Sequence, residues 1–164
     1  MGKAPLGEKK TGPNPIDRTK NDTKKSLLTN GRGAPVGIAV GGANTPDFKL
    51  MRSTVESMLV PQSALADGQL QHLCVDKGYD YDEVRRLVEE LFGFTLHLPP
   101  RQHHTKVKRS ARKKARRWVV ERTPSWLTCF RRLLVRWEKR EDTYLAMLHF
   151  ALGICTWFHA LLPK

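Results

Sequence analysis

Two short apolar runs with a single helical repeat between them constrain this fold more than any other feature. The runs are Gln71-His72-Leu73-Cys74-Val75 and Phe94 to Leu98. Between them Val84, Leu87, Val88 and Leu91 recur at helical spacing from Asp82 onward, and Gly93 closes the repeat. Asp76 ends the first run and Pro99-Pro100 stops the second. Strand, helix and strand in that order predict a βαβ-like crossover, and so an α/β domain.

The sequence before the crossover adds antiparallel pairing. Ser26-Leu27-Leu28-Thr29 and Ala34-Pro35-Val36-Gly37-Ile38-Ala39-Val40 flank Asn30-Gly31. An Asn-Gly step between apolar runs signals a hairpin, because both turn positions tolerate positive φ. The spacing predicts a hairpin over about residues 25–41. Asp47 is placed to cap a helix running to roughly Leu59 on Phe48, Met51, Val55, Met58 and Leu59. Residues 61–68 read as a linker. Residues 1–24, rich in Gly, Pro, Lys and Asn with no apolar period, read as a loop-rich segment. Residues 25–100 then form an α/β core with a mixed sheet, and no internal repeat is visible.

At residue 101 the composition changes. Lys106, Lys108, Arg109, Arg112, Lys113, Lys114, Arg116 and Arg117 lead into Arg122, Arg131, Arg132, Arg136, Lys139 and Arg140. Ala111, Ala115, Trp118, Val119, Trp126, Leu127, Leu133 and Leu134 supply apolar positions, so residues 101–164 read as a basic helical region. Pro124 predicts a kink or a break, since a proline ring clashes with the carbonyl four residues back. The whole chain carries 29 Lys and Arg against 16 Asp and Glu, a formal charge of +13, which favours a polyanionic partner. The tail from Tyr144 to Leu162 approaches a membrane span in length. His149, His159 and Gly153 within it favour a buried C-terminal helix instead.

Cys74, Cys129 and Cys155 are far apart and odd in number, so neither a zinc spacing nor a disulfide framework is present. His103 and His104 are adjacent and make a weak metal-ligand pair. No apolar stretch follows Met1, which predicts a reducing, cytoplasmic setting.

Two acids stand out by position. Asp76 follows a strand and precedes Lys77-Gly78-Tyr79, where a turn can present its carboxylate; it reads equally as a turn or capping aspartate. Glu121 is an acid within a long basic stretch, flanked by Arg117 and Arg122. Surrounding cations keep such a carboxylate ionised, and an ion pair with Arg117 one turn earlier explains it as well.

Val75-Asp76-Lys77-Gly78-Tyr79-Asp80 resembles the aDkGYd signature of insertion-sequence transposases with an acidic-triad (DDE) catalytic centre. Arg116-Arg117-Trp118-Val119-Val120-Glu121-Arg122 through Trp126-Leu127, and on to Phe130-Arg131-Arg132-Leu133-Leu134-Val135-Arg136-Trp137-Glu138, resembles a second block of that family. Lys3-Ala4-Pro5-Leu6-Gly7, Thr11-Gly12-Pro13-Asn14-Pro15 and Gly41-Gly42-Ala43-Asn44-Thr45-Pro46-Asp47 match further landmarks in the same order. The resemblance implies a ribonuclease-H-like mixed sheet with flanking helices, and a site where three acids bind two magnesium ions for in-line attack on a DNA phosphate. By position Asp76 is the second acid and Glu121 the third, both catalytic and metal-binding. Lys113, Lys114, Arg117, Arg122, Arg131, Arg132 and Arg136 are then the contacts to the backbone of double-stranded DNA at the transposon ends. A second copy or an upstream transposase segment is the implied protein partner, and no membrane is.

The sequence departs from the family at points that bear on activity. The first acid of the family sits just upstream of the Lys3-Ala4-Pro5-Leu6-Gly7 landmark, and no acid occupies that place here; Glu8 and Asp17 are poor substitutes. The expectation is a catalytic domain lacking its first strand and one metal ligand, inactive alone and exposing a sheet edge. Pro124 and Thr128 depart from the pattern around the third acid. A non-catalytic DNA-binding remnant is the alternative function, and a membrane-associated protein the third.

Overall fold

The computed structural model describes residues 2–5, 8–17, 19–59, 71–98 and 117–161. In chain order the strands are β1 (Gly2–Lys3), β2 (Gly12–Pro13), β3 (Asn21–Thr29), β4 (Pro35–Gly42), β5 (His72–Cys74) and β6 (Thr95–His97). The helices are α1 (Asp47–Glu56), α2 (Asp82–Arg86), α3 (Arg117–Thr128), α4 (Arg131–Leu134) and α5 (Glu141–Leu161). The chain packs as two units. Met1–Val60 and Arg116–Lys164 make the larger one, and Pro61–Ala115 the smaller.

The hairpin forms, and it organises the larger unit. β3 and β4 pair antiparallel with Leu27 opposite Ile38 and Lys25 opposite Val40, and the register shifts between Leu28 and Thr29. Its turn differs from the expected two-residue Asn-Gly type. Asn30 Oδ1 accepts from the backbone N–H of Arg32 and of Ala34, each at 3.0 Å, and Asn30 N–H donates to Ala34 O. The positive φ falls on Gly33, at 90°, so the asparagine side chain rather than a mirror-image turn closes the loop.

Strand pleating gives β4 two buried faces. Ile38 and Val40 join Leu127, Leu133, Tyr144, Leu148, Ala151, Leu152 and Cys155 in one cluster, so α3, α4 and α5 cover that side. α1 covers the other. There Thr54 Oγ1 donates to Ser26 Oγ at 2.8 Å and Ile38 N–H donates to Ser57 Oγ at 2.7 Å. α1 starts at Asp47, but Pro46 is its N-cap residue and no side chain caps it. Asp47 is the first helical residue, one past the cap position, and it pairs with Lys24 Nζ at 3.2 Å.

The expected N-terminal loop contributes strands. β1 and β2 both pair antiparallel with β3, Gly2 opposite Thr23 and Gly12 opposite Asp22. A ladder two residues long leaves no period to read, and these pairs are held by backbone bonds and close packing. A Cβ on Gly12 would fall 2.0 Å from Asn44 Oδ1, so any other residue there requires the Asn44 side chain to move. That contact joins two of the sequence landmarks.

α5, expected as a buried C-terminal helix, is covered on one face. Tyr144, Leu148, Ala151, Leu152 and Cys155 face the core, while Phe150 is 72% and Trp157 66% exposed. By length and composition alone this helix is long and apolar enough to cross a membrane.

In the smaller unit β5 and β6 pair in parallel, His72 opposite Thr95 and Cys74 opposite His97, as the crossover predicts. α2 continues into a wide π-helical turn over Leu87–Leu91. Val84 and Val88 are buried, whereas Leu91 is exposed, because the extra residue in that turn rotates it off the apolar face. Among the described residues the two sheets are separate, one antiparallel and one parallel, rather than one mixed sheet. The architecture is α/β in both units.

Candidate functional site

Asp76 lies just past the end of β5. Val75 N–H still continues the ladder, donating to His97 O at 3.1 Å, and the chain then turns through Lys77–Tyr79 with Tyr79 N–H on Asp76 O at 3.0 Å. The Asp76 side chain is exposed. The second aspartate of the signature has a different use. Asp80 accepts from Arg85 Nη2 at 2.6 Å, which ties the turn to α2. Strand end, turn and helix start thus present a carboxylate at the carboxyl end of a parallel pair, where open α/β sheets hold their ligands.

Glu121 is exposed on α3 in the larger unit. The helix runs without a break from Arg117 to Thr128 and contains Pro124. Of the kink or break expected at Pro124, no break occurs, and neighbouring groups hold the turn. Ser125 Oγ donates to Glu121 O at 2.8 Å, and buried Thr123 donates its hydroxyl to Gly33 O at 2.7 Å, anchoring the helix to the hairpin loop. Leu127 is buried in the core beside them. Tertiary contacts here override the propensity of proline. The helix ends at Cys129 and Phe130 instead.

Asp76 therefore belongs to the smaller unit and Glu121 to the larger. Among the described residues, no three His, Cys, Asp or Glu side chains stand together in a group suited to a metal ion.

The basic residues divide by burial. Arg131 and Arg132 are exposed on the single turn of α4. The Arg122 guanidinium lies 4.9 Å from the centroid of the Trp126 ring, a cation–π contact that holds it along α3. Lys113 and Lys114 lie outside the described residues, and of Arg117 only the helical backbone is described.

Arg136 corrects the expectation of a DNA contact. Its exposure is 0%. Nη1 donates to Lys9 O at 2.9 Å and Nε to Glu138 O at 3.1 Å, while Nη2 reaches Lys139 O at 3.4 Å. The guanidinium also stacks 4.8 Å from the Tyr144 ring centroid. Its donors are spent on backbone carbonyls, so this arginine fastens the N-terminal segment to β3 and α5. Its own N–H continues the attachment, donating to Lys3 O at 2.6 Å.

Lys25 is half-buried. Its Nζ donates to Leu133 O at 2.8 Å beneath α4, and burial pushes its ammonium below the ordinary lysine value. Burial likewise raises the Tyr144 hydroxyl to about 12.

Sequence reasoning missed one pair. His72 Nδ1 and His97 Nε2 lie 2.8 Å apart on the exposed side of β5 and β6. The parallel register sets His72 opposite Thr95 and Cys74 opposite His97, so His72 and His97 meet as diagonal neighbours on one face, a relation the sequence alone does not reveal.

A family profile described as a transposase DDE domain matches residues 73–157, a span that includes both Asp76 and Glu121. A relative from Burkholderia cepacia, described as a transposase for insertion sequence element IS402, is 32% identical over 154 residues, covering 92% of this chain and 70% of the relative. No solved structure matches.

Proposed function

The chain belongs to the DDE-class transposases of insertion sequences, and on that premise we propose that it acts in DNA transposition through the carboxylates of Asp76 and Glu121. The observation that carries this reading is the exposed Asp76 at the carboxyl end of β5, within the span matched by the DDE profile. Glu121 is exposed on a helix of the same span. An acid at a strand end and another on a later helix, with a hairpin before them, agree with the ribonuclease-H-like arrangement that the family resemblance implies.

Carboxylate oxygens are hard donors and suit magnesium. By the family resemblance Asp76 and Glu121 are each candidate ligands, and bound magnesium would supply activation of a water or 3′-hydroxyl and stabilisation of the departing oxygen. The chain's own part is to present the DNA. Arg131 and Arg132, with Arg122 braced on Trp126, attract the phosphates, and Lys113, Lys114 and Arg117 extend the basic stretch in sequence. Contacts of this kind are salt-dependent and carry little sequence information.

The resemblance implies three acids, and two are matched. The proposal is therefore that this chain alone retains duplex DNA without cutting it. End-labelled duplex incubated with the purified chain and magnesium or manganese tests both halves. Retention that weakens with salt, persists in Asp76→Asn and Glu121→Gln, and yields no nicked product is expected. Robust nicking that disappears in Asp76→Asn would refute the inactive half; no retention at low salt would refute the DNA grip.

A further inference from the structure

We propose that His72 and His97 form a binding site for a divalent transition-metal ion of borderline softness, zinc being the reference, which clips β5 to β6. Both side chains are exposed, and their rings meet edge to face with centroids 4.7 Å apart and planes at 69°. His97 Nε2 and His72 Nδ1 are separated by 2.8 Å. Imidazole nitrogens sit about 2.0–2.1 Å from zinc, which at a tetrahedral angle places two of them roughly 3.4 Å apart. The pair needs to open by only about half an ångström, within the reach of exposed side chains.

The proton balance favours entry. Between two neutral rings one N–H occupies the gap. When that proton moves through water to the outer nitrogen of the same ring, both inner lone pairs face the ion and no net proton is lost. Imidazole selects zinc, nickel or copper over magnesium, so this site differs in kind from the carboxylate of Asp76. With no three-residue ligand group among the described residues, water fills the remaining positions. The ladder it would brace is short, three residues on each strand, and a two-stranded sheet is marginal by itself. An ion bound only by the folded form stabilises it by mass action.

The test is zinc titration of the full chain by calorimetry with excess magnesium present, comparing wild type with His72→Asn, His97→Asn and, as a surface control, His149→Asn. The expected result is one zinc equivalent that survives in the control and weakens in both strand variants. Loss of a supporting partner alone costs about ten- to a hundredfold in affinity, so loss of a ligand costs at least about tenfold. Imidazole nitrogen spectra of the wild type supply a readout independent of variant folding: the His72 and His97 signals shift together on adding zinc and not magnesium. Equal zinc uptake in wild type and both strand variants, or the absence of those shifts, overturns the proposal.

Discussion

The two units of this chain handle burial in opposite ways. The larger wraps a hairpin in helices on both faces and buries even an arginine, Arg136, to fasten its first residues. The smaller rests on a three-residue parallel ladder over Leu73, Val84, Val88 and Phe94. On its exposed side it carries His72, Cys74 and Asp76 at alternate positions. The difference teaches that positive charge along this sequence does not by itself mark the solvent-facing residues. Buried cations are spent on holding the fold, and the exposed His, Cys and Asp side chains sit on the thinner scaffold.

The largest effect should come from Arg136. Arg136→Ala removes the arginine donor from the carbonyls of Lys9 and Glu138, leaves Lys139 O with only the Glu8 N–H, and opens a cavity beside Tyr144. The lost part-buried bonds and the cavity left by truncating a fully buried side chain together should cost about 3 kcal/mol or more in urea unfolding. Arg131→Ala and Arg132→Ala should change stability by less than about 0.5 kcal/mol. Each should instead lower the salt slope of DNA binding by about 0.9. Equal stability effects at all three arginines would break the comparison.

Next in size is Leu148→Ala, expected to cost about 2–5 kcal/mol because Leu148 lies at the centre of the larger cluster. Hydrogen exchange sharpens the contrast. Amides of β5 and β6 should exchange well before those of β3 and β4, since local opening follows the amount of buried contact. Slower exchange in β5 than in β3 would reverse the ranking.

The smallest effect concerns Lys25. Its folded pKa lies below the ordinary 10.5, so the unfolded chain binds more protons in the interval between them and stability rises with pH through that window. Tyr144 opposes this above pH 10.0, where the unfolded phenol ionises while the folded one stays neutral to about 12, so stability then falls. Lys25→Met should remove the rise and leave the fall. An unchanged rise in melts up to pH 10.0 would contradict the role given to Lys25.

These contrasts follow what was legible in the sequence. The hairpin, α1 and the β5–α2–β6 crossover were readable because each has a period or a turn signal of its own. β1 and β2 were not, since two-residue ladders have no period. Arg136 looked like Arg131 and Arg132, because composition records charge and not burial, and its partner Lys9 lies 127 residues away. The continuity of the helix through Pro124 was hidden for a similar reason: Thr123 finds its anchor at Gly33, 90 residues earlier. Asp76 was legible because a strand, a turn and a helix signal bracket it. Glu121 was marked by family resemblance more than by local pattern.

The central claim is that Asp76 and Glu121 are the metal-holding carboxylates. It is tested most directly by titrating Mn2+ into the full chain with duplex DNA present and following paramagnetic broadening of backbone amides. Early broadening at Asp76 and Tyr79 and at Glu121, with the first lost in Asp76→Asn and the second in Glu121→Gln, is the predicted result. Broadening that centres on Asp80, Asp82 and Glu83 and ignores both substitutions would contradict it.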